Sequence, residues 1–183
     1  MLYIVALLIG LAVGRLRGGR LSLFAQLRLR WLWLVPIALV IQLLIFPWLS
    51  GRPLLPYATA SLHLVSYALL IVWMLRNLHA VPIRAFLLGA GCNLAAIAAN
   101  GGFMPASVTA LRGAGLEGVV RSLLDRGTVA NVILMSDATR LNALGDWLYL
   151  PKWLPFSTAF SVGDVVIMIG LAWLAAWGMM AHD

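Results

Sequence analysis

Apolar residues in this chain come in long runs rather than in alternation. Positions 2–14, 31–50, 58–75, 85–99 and 162–181 are almost wholly hydrophobic, and arginine, tryptophan, proline or glycine stands at or near most of their ends. Such segments approach the roughly 20 apolar residues that cross a bilayer as a helix. They predict an all-α integral membrane protein with about five transmembrane helices in one domain, 1–183. The first span is short. About 14 residues rise about 21 Å, so this span must either thin the bilayer or let Arg15 and Arg17 snorkel to the interface. No charged stretch precedes it and no small-residue cleavage site follows, as a secretory signal would require, so it is kept as a helix.

The segments between the runs carry their own signals. Residues 15–30 read R-L-R-G-G-R-L-S-L-F-A-Q-L-R-L-R. Leu16, Leu23, Phe24 and Leu27 can share one helical face, which gives either a short interfacial helix among anionic headgroups or a plain basic loop. Trp31, Trp33 and Trp48 mark the two ends of the second span as an aromatic belt does, and Pro36 sits in its first turns, where a lost amide bond is tolerated. In the fourth span Gly89, Gly91, Ala95 and Ala99 allow a neighbouring backbone to come close. Asn100-Gly101-Gly102 closes that span, glycine accepting the left-handed conformation a helix end needs. Nothing in 100–161 is both long and apolar enough to cross. That region is expected to form a cap, with an amphipathic helix over 106–126 whose apolar side holds Leu116, Val119, Val120, Leu123 and Leu124. Gly113, Gly115 and Gly118 weaken it. Residues 129–135 are expected as a strand-like or re-entrant piece, and Trp147, Tyr149 and Trp153 as an interfacial belt.

Composition agrees: 63% of residues are apolar and 10% charged, with a mean hydropathy of +0.98. Charge then sets the orientation. Residues 1–99 hold eight arginines and no acid, whereas 100–182 hold five basic and five acidic residues. Arginines bunched at Arg15–Arg30 and Arg76–Arg84 are the positive-inside signal. They put the N-terminus outside, the cap of 100–161 outside, and the C-terminus in the cytoplasm. The net charge of +7 is therefore topogenic, and a nucleic-acid partner is not expected. Membrane lipids are the expected surroundings. The single cysteine, Cys92, lies in an apolar run and forms no internal disulfide.

Candidate chemistry gathers late in the chain, where Asp137, Asp146 and Asp164 supply three of only six acidic residues. Asn131, Arg140 and Asn142 lie among them. Asp164 has two readings. Ser161 can cap the last helix with Asp164 as its reciprocal partner three residues on, Phe160 stapling onto Val165, and the carboxylate suits the positive helix end. Alternatively, Asp146 and Asp164 converge near the outer membrane surface, where two close carboxylates cannot both ionise. One then serves as acid while the other activates water. Asp137 can cap a short turn and pair with Arg140. His63 and Gln42 lie at membrane depth, as functional groups or as one helix–helix hydrogen bond. No cluster has metal-ligand spacing, no glycine-rich phosphate loop or nucleophile elbow is present, and no lysine in a span offers a Schiff base. No metal or cofactor is expected.

Two resemblances rest on these residues. The set N-G-G-F-M-P (100–105), D-A-T-R-L-N-A-L-G-D-W-L-Y-L-P (137–151) and F-S-V-G-D-V-V-I-M-I-G (160–170), with the early R-G-G-R, resembles a family of small bacterial membrane proteins of unknown function. That resemblance implies the bacterial cytoplasmic membrane. L-G-D-W and F-S-V-G-D are also similar to the V-V-D-F and F-N-x-A-D motifs of lipoprotein signal peptidase (signal peptidase II), whose catalytic aspartates would fall on Asp146 and Asp164. Asn100-Gly101-Gly102 is similar to its N-x-G. Ser161 stands in place of that family's asparagine, and two spans between the motifs are missing. The leading expectation is a non-catalytic accessory or binding subunit that engages a membrane partner, a lipid or a quinone-like ligand. On this reading Asn100, Gly101, Gly102, Asn131, Asp137, Arg140 and Ser161 shape the site. The alternative is a membrane-embedded aspartyl hydrolase with an Asp146/Asp164 dyad.

Overall fold

The computed structural model describes residues 2–45, 54–55 and 58–180. Trp48, the turn near 51–57 and residue 181 of the last expected span lie outside the described residues or at their margin. Five apolar helices form the body: α1 (Leu2–Leu16), α3 (Leu34–Ile45), α4 (Thr59–Arg76), α5 (Ile83–Ala99) and α8 (Val162–Gly178). A short helix, α2 (Leu21–Ala25), follows the first glycine pair. Of the five, α4 is long and apolar enough by itself to cross a membrane; the other four are shorter apolar helices. Their outward faces carry large apolar side chains, among them Ile4, Leu8, Leu43, Val72, Leu88 and Ile169.

The helices pack in the spatial order α1–α8–α5–α4–α3. Small residues set how closely they approach. A Cβ on Gly10 would run into the backbone of Ala172, one on Gly14 into Ala176, and one on Gly89 into Gly163 and Ile167. Gly10 and Gly14 stand one turn apart on α1 and form the small-xxx-small face that lets two backbones meet. Gly91 has nothing near it and faces away, so of the glycines expected to admit a neighbour in the fourth span only Gly89 does so. These contacts also fix direction: α1 runs parallel to α8, and α5 runs against it.

Buried Asn77, just past the end of α4, takes the Arg30 N–H on Oδ1 (2.7 Å) and gives Nδ2 to the Arg30 carbonyl (2.8 Å). Arg76 lies 4.4 Å over the Trp31 ring. The two basic segments thus sit together at one end of the bundle. At depth, Gln42 donates to Ser66 Oγ (3.2 Å), joining α3 to α4.

At the other end the expectation of an all-α chain is corrected. The cap contains a five-stranded mixed sheet of order β2-β3-β1-β4-β5. Its strands are β1 (Met104–Ala106), β2 (Thr128–Val129), β3 (Val132–Leu134), β4 (Asp146–Tyr149) and β5 (Ala159–Ser161). Central β1 pairs parallel with β3 and β4, and antiparallel hairpins close both sides. Strands of two to four residues leave almost no period for sequence to display. Residues 129–135 prove to be most of the β2–β3 hairpin. The single helix expected over 106–126 is two, α6 (Val108–Gly113) and α7 (Glu117–Arg126). Gly115 between them takes φ +75°, and Gly113 lies too close to the Tyr149 ring to carry a side chain. Val120 and Leu123 are buried with Ala106 and Leu111, while Leu124, expected on that face, is 66% exposed.

Candidate functional site

The cap meets the bundle at Ser161. This residue ends β5 and begins α8, and it is fully buried. Its extended backbone (φ −97°, ψ 168°) is that of an N-cap, and the capping box is complete. Asp164 N–H donates to Ser161 Oγ (2.9 Å), and Ser161 N–H donates to Asp164 Oδ2 (2.9 Å). The local reading of this motif is therefore correct, and more is built on it.

Asp164 Oδ1 accepts from the Tyr3 hydroxyl (2.6 Å), carried by α1, and from Asn93 Nδ2 (2.9 Å), carried by α5. The Ser161 hydroxyl lies 2.8 Å from Asn93 Oδ1 and 2.9 Å from Asp164 Oδ2, with one proton for the two. Tyr67 of α4 lies beside Asn93, and its ring meets His63 edge-on at 5.1 Å. Three helices, α1, α5 and α8, thus meet at one carboxylate. Gly163 makes this possible, because a Cβ there would collide with Asn93 Oδ1.

Asp146 arrives from the sheet. It is the cross-strand partner of Ser161 on β5 and of Ala106 on β1, and its carbonyl accepts from Ser107 N–H (2.9 Å). Gly145 lets the strand come in, since a Cβ there would meet the Pro105 carbonyl. Cross-strand partners lie about 5 Å apart, so Asp146 and Asp164 flank the same serine. Their environments differ sharply. Asp164 is surrounded by donors, whereas Asp146 Oδ1 is buried with no hydrogen-bond partner. Burial, and then the Asp164 charge, push the Asp146 carboxyl from 3.8 up to about 7. Near neutral pH it retains a proton for much of the time.

Beside the cluster opens a cleft of about 330 Å³, lined by Tyr3, Asp164, Thr158, Phe156, Phe160 and Met168 among others. Asp146 does not line it. The remaining expected site residues lie elsewhere. Asn100, the C-cap of α5, is spent on structure: Nδ2 donates to the carbonyls of Ala96 and Arg140 (both 2.8 Å), and Oδ1 accepts from Arg140 N–H (2.9 Å). This is the grip Asn77 has on Arg30, repeated at the opposite end. Gly101 and Gly102 adopt φ +67° and +99°, and Gly102 packs against Ala60. Asn131 receives Met104 N–H on its backbone carbonyl (2.6 Å). Asp137 and the Arg140 side chain are exposed. The turn expected from that pair is held instead by Ser136, Thr139 and Asn142, with Ser136 N–H donating to Thr139 Oγ1 (2.9 Å).

Sequence reasoning missed Tyr3 and Asn93. For Asn93 a signal existed, a lone amide in an apolar helix one turn after Gly89, the same kind of signal that singled out His63 and Gln42. Tyr3 offered none.

The sequence profile of DUF5317, a family of unknown function, matches residues 26–176. The chain belongs to that family. The matched stretch takes in Asn93, Asp146, Ser161 and Asp164, so the DUF5317 region supplies the whole cluster except Tyr3, which α1 adds from outside it. No curated protein and no solved structure matches the chain. The likeness to signal peptidase II accordingly rests on short motifs alone, the two around Asp146 and Asp164 and the Asn100-Gly101-Gly102 match.

Proposed function

We propose that this DUF5317 protein is a multi-pass protein of the bacterial cytoplasmic membrane, and that its extracytoplasmic cap roofs a non-catalytic binding cleft for a lipid-like ligand. The membrane reading is supported by five apolar helices with hydrocarbon outer faces. It is supported further by α4, only 22% of which is buried, unlike the core helix of a soluble protein. All seven arginines of 15–30 and 76–84 fall at the end opposite the cap, which puts the cap outside by the positive-inside rule.

The observation that carries the binding reading is the saturation of Asp164. A carboxylate offers about four lone-pair sites. Tyr3, Asn93 and the Ser161 amide occupy three, and the Ser161 hydroxyl competes for the fourth. A group so engaged is a poor base toward water, and the second carboxyl does not reach the cleft. Asp164 instead fixes the positions of three helices and leaves one charged edge facing an apolar opening. A second reading, the aspartyl hydrolase, is favoured by one feature: the bare, buried Oδ1 of an Asp146 that holds its proton, as the acid of an aspartate dyad must.

The two separate in one experiment on wild type, Asp146→Asn, Asp164→Asn and the double variant. Thermal stability is read alongside cleavage of a lipid-modified signal peptide in detergent. Binding alone predicts no cleavage by wild type and a loss of about 1 kcal/mol or more in Asp164→Asn from the broken cap. Turnover by wild type that vanishes in each single variant without loss of stability would overturn it in favour of the dyad.

A further inference from the structure

The cleft beside Asp164 does not end there. Leu2 and Met168, which line it, also line a second cavity of about 330 Å³ between α1 and α8, walled by Val5, Ile9, Val165 and Ala172. Leu2, Val5 and Ile9 recur at helical spacing on one face of α1, so the two cavities form one groove descending from the cap. Its mouth presents the Tyr3 hydroxyl, the Asp164 carboxylate, Ser157 and Thr158; every residue of its lower part is apolar. Among the described residues no lysine, arginine or histidine lines either part. We propose that this groove seats a long-chain amphiphile whose head group is a protonated amine and carries no phosphate.

This rests on the binding reading above and specifies its ligand. Two considerations select the chemistry. First, lipid tails are as apolar as leucine, so moving a chain from the bilayer into the groove gains little. Selectivity must then come from the head. Second, Asp164 is the one charged residue lining the mouth among the described residues, so the potential there is set by a carboxylate. A phosphate there would face a carboxylate with no cation among the described residues to offset it. An ammonium brings three donors and a compensating charge. It can take the lone pair over which the Ser161 hydroxyl competes, and share its other protons with the hydroxyls of the mouth.

The test is thermal unfolding of the full chain in mild detergent with decylamine, decanol or decyl phosphate at equal concentrations. Wild type is compared with Ile9→Trp, which fills the lower groove, and with Leu39→Trp on the outer face of α3. Ile9 and Leu39 are 54% and 49% exposed, so neither substitution burdens the core. Decylamine should raise the midpoint by about 5 °C at saturating concentration, decanol by less, and decyl phosphate not at all. Leu39→Trp should keep the effect and Ile9→Trp should lose it. Equal shifts from amine and alcohol, or a larger one from phosphate, would overturn the head-group assignment while leaving a binding cleft. An amine effect that survives Ile9→Trp would overturn the groove. No shift from any of the three would overturn both this inference and the binding reading.

Discussion

Asp146 makes the stability of this protein depend on pH in a way that can be worked out. Its carboxyl is held near pH 7 in the fold, against 3.8 ordinarily. Between those values the native state retains a proton that the unfolded chain has released. Native stability from this group is therefore complete below about pH 4, falls as pH rises toward 7, and is flat above. One pKa unit corresponds to 1.36 kcal/mol, which sets a ceiling of about 4 kcal/mol. Relaxation around the carboxylate and entry of water reduce that to roughly 2 kcal/mol, or about 4–8 °C in midpoint for a chain of this size. Asp146→Asn removes the titration while keeping the shape. Wild type should lose that many degrees between pH 4 and pH 8 relative to Asp146→Asn, and the variant should be the more stable form at pH 8. The assay is the unfolding midpoint of both proteins in one detergent across pH 4–9, with their difference cancelling every other titrating group. Parallel curves for the two would refute the reasoning, since they would mean that Asp146 is solvated and its bare oxygen meets water.

Three further outcomes follow from the packing. Gly10→Val should lower the unfolding midpoint by an amount equivalent to about 2 kcal/mol, because its side chain meets the Ala172 backbone; Gly91→Val, with nothing near it, should change little. Gly102→Ala should cost more than Gly101→Ala in the same measurement, as both strain a positive φ but Gly102 also meets Ala60. In a Cys92→Ser background, Lys152→Cys should label with a membrane-impermeant thiol reagent in intact cells, whereas Ser22→Cys and His79→Cys should not. Labelling at residue 22 alone would invert the orientation.

Local sequence determined much of this protein. Apolar runs marked the described parts of the five long helices to within a few residues, because an unbroken run longer than a strand is a signal the chain carries locally. The capping box at Ser161 and Asp164 was legible for a similar reason: both partners lie within one helical turn. The stop at Gly101 and Gly102 needed only the conformational freedom of glycine. Chain-local rules did not reach the sheet, whose strands are too short to show a period and owe their pairing to β1, with partners about 28 and 40 residues further on. Nor could they reach the cluster itself. Tyr3 and Asp164 stand 161 positions apart, and Asn93 and Asp164 stand 71 apart. Only packing at Gly10, Gly89 and Gly163 brings them together. The unequal treatment of two similar aspartates was likewise decided by tertiary structure. One was placed among donors at a helix end, and the other was drawn into a sheet with Oδ1 left bare, because hydrogen-bond supply and burial belong to the assembled fold and not to the residue.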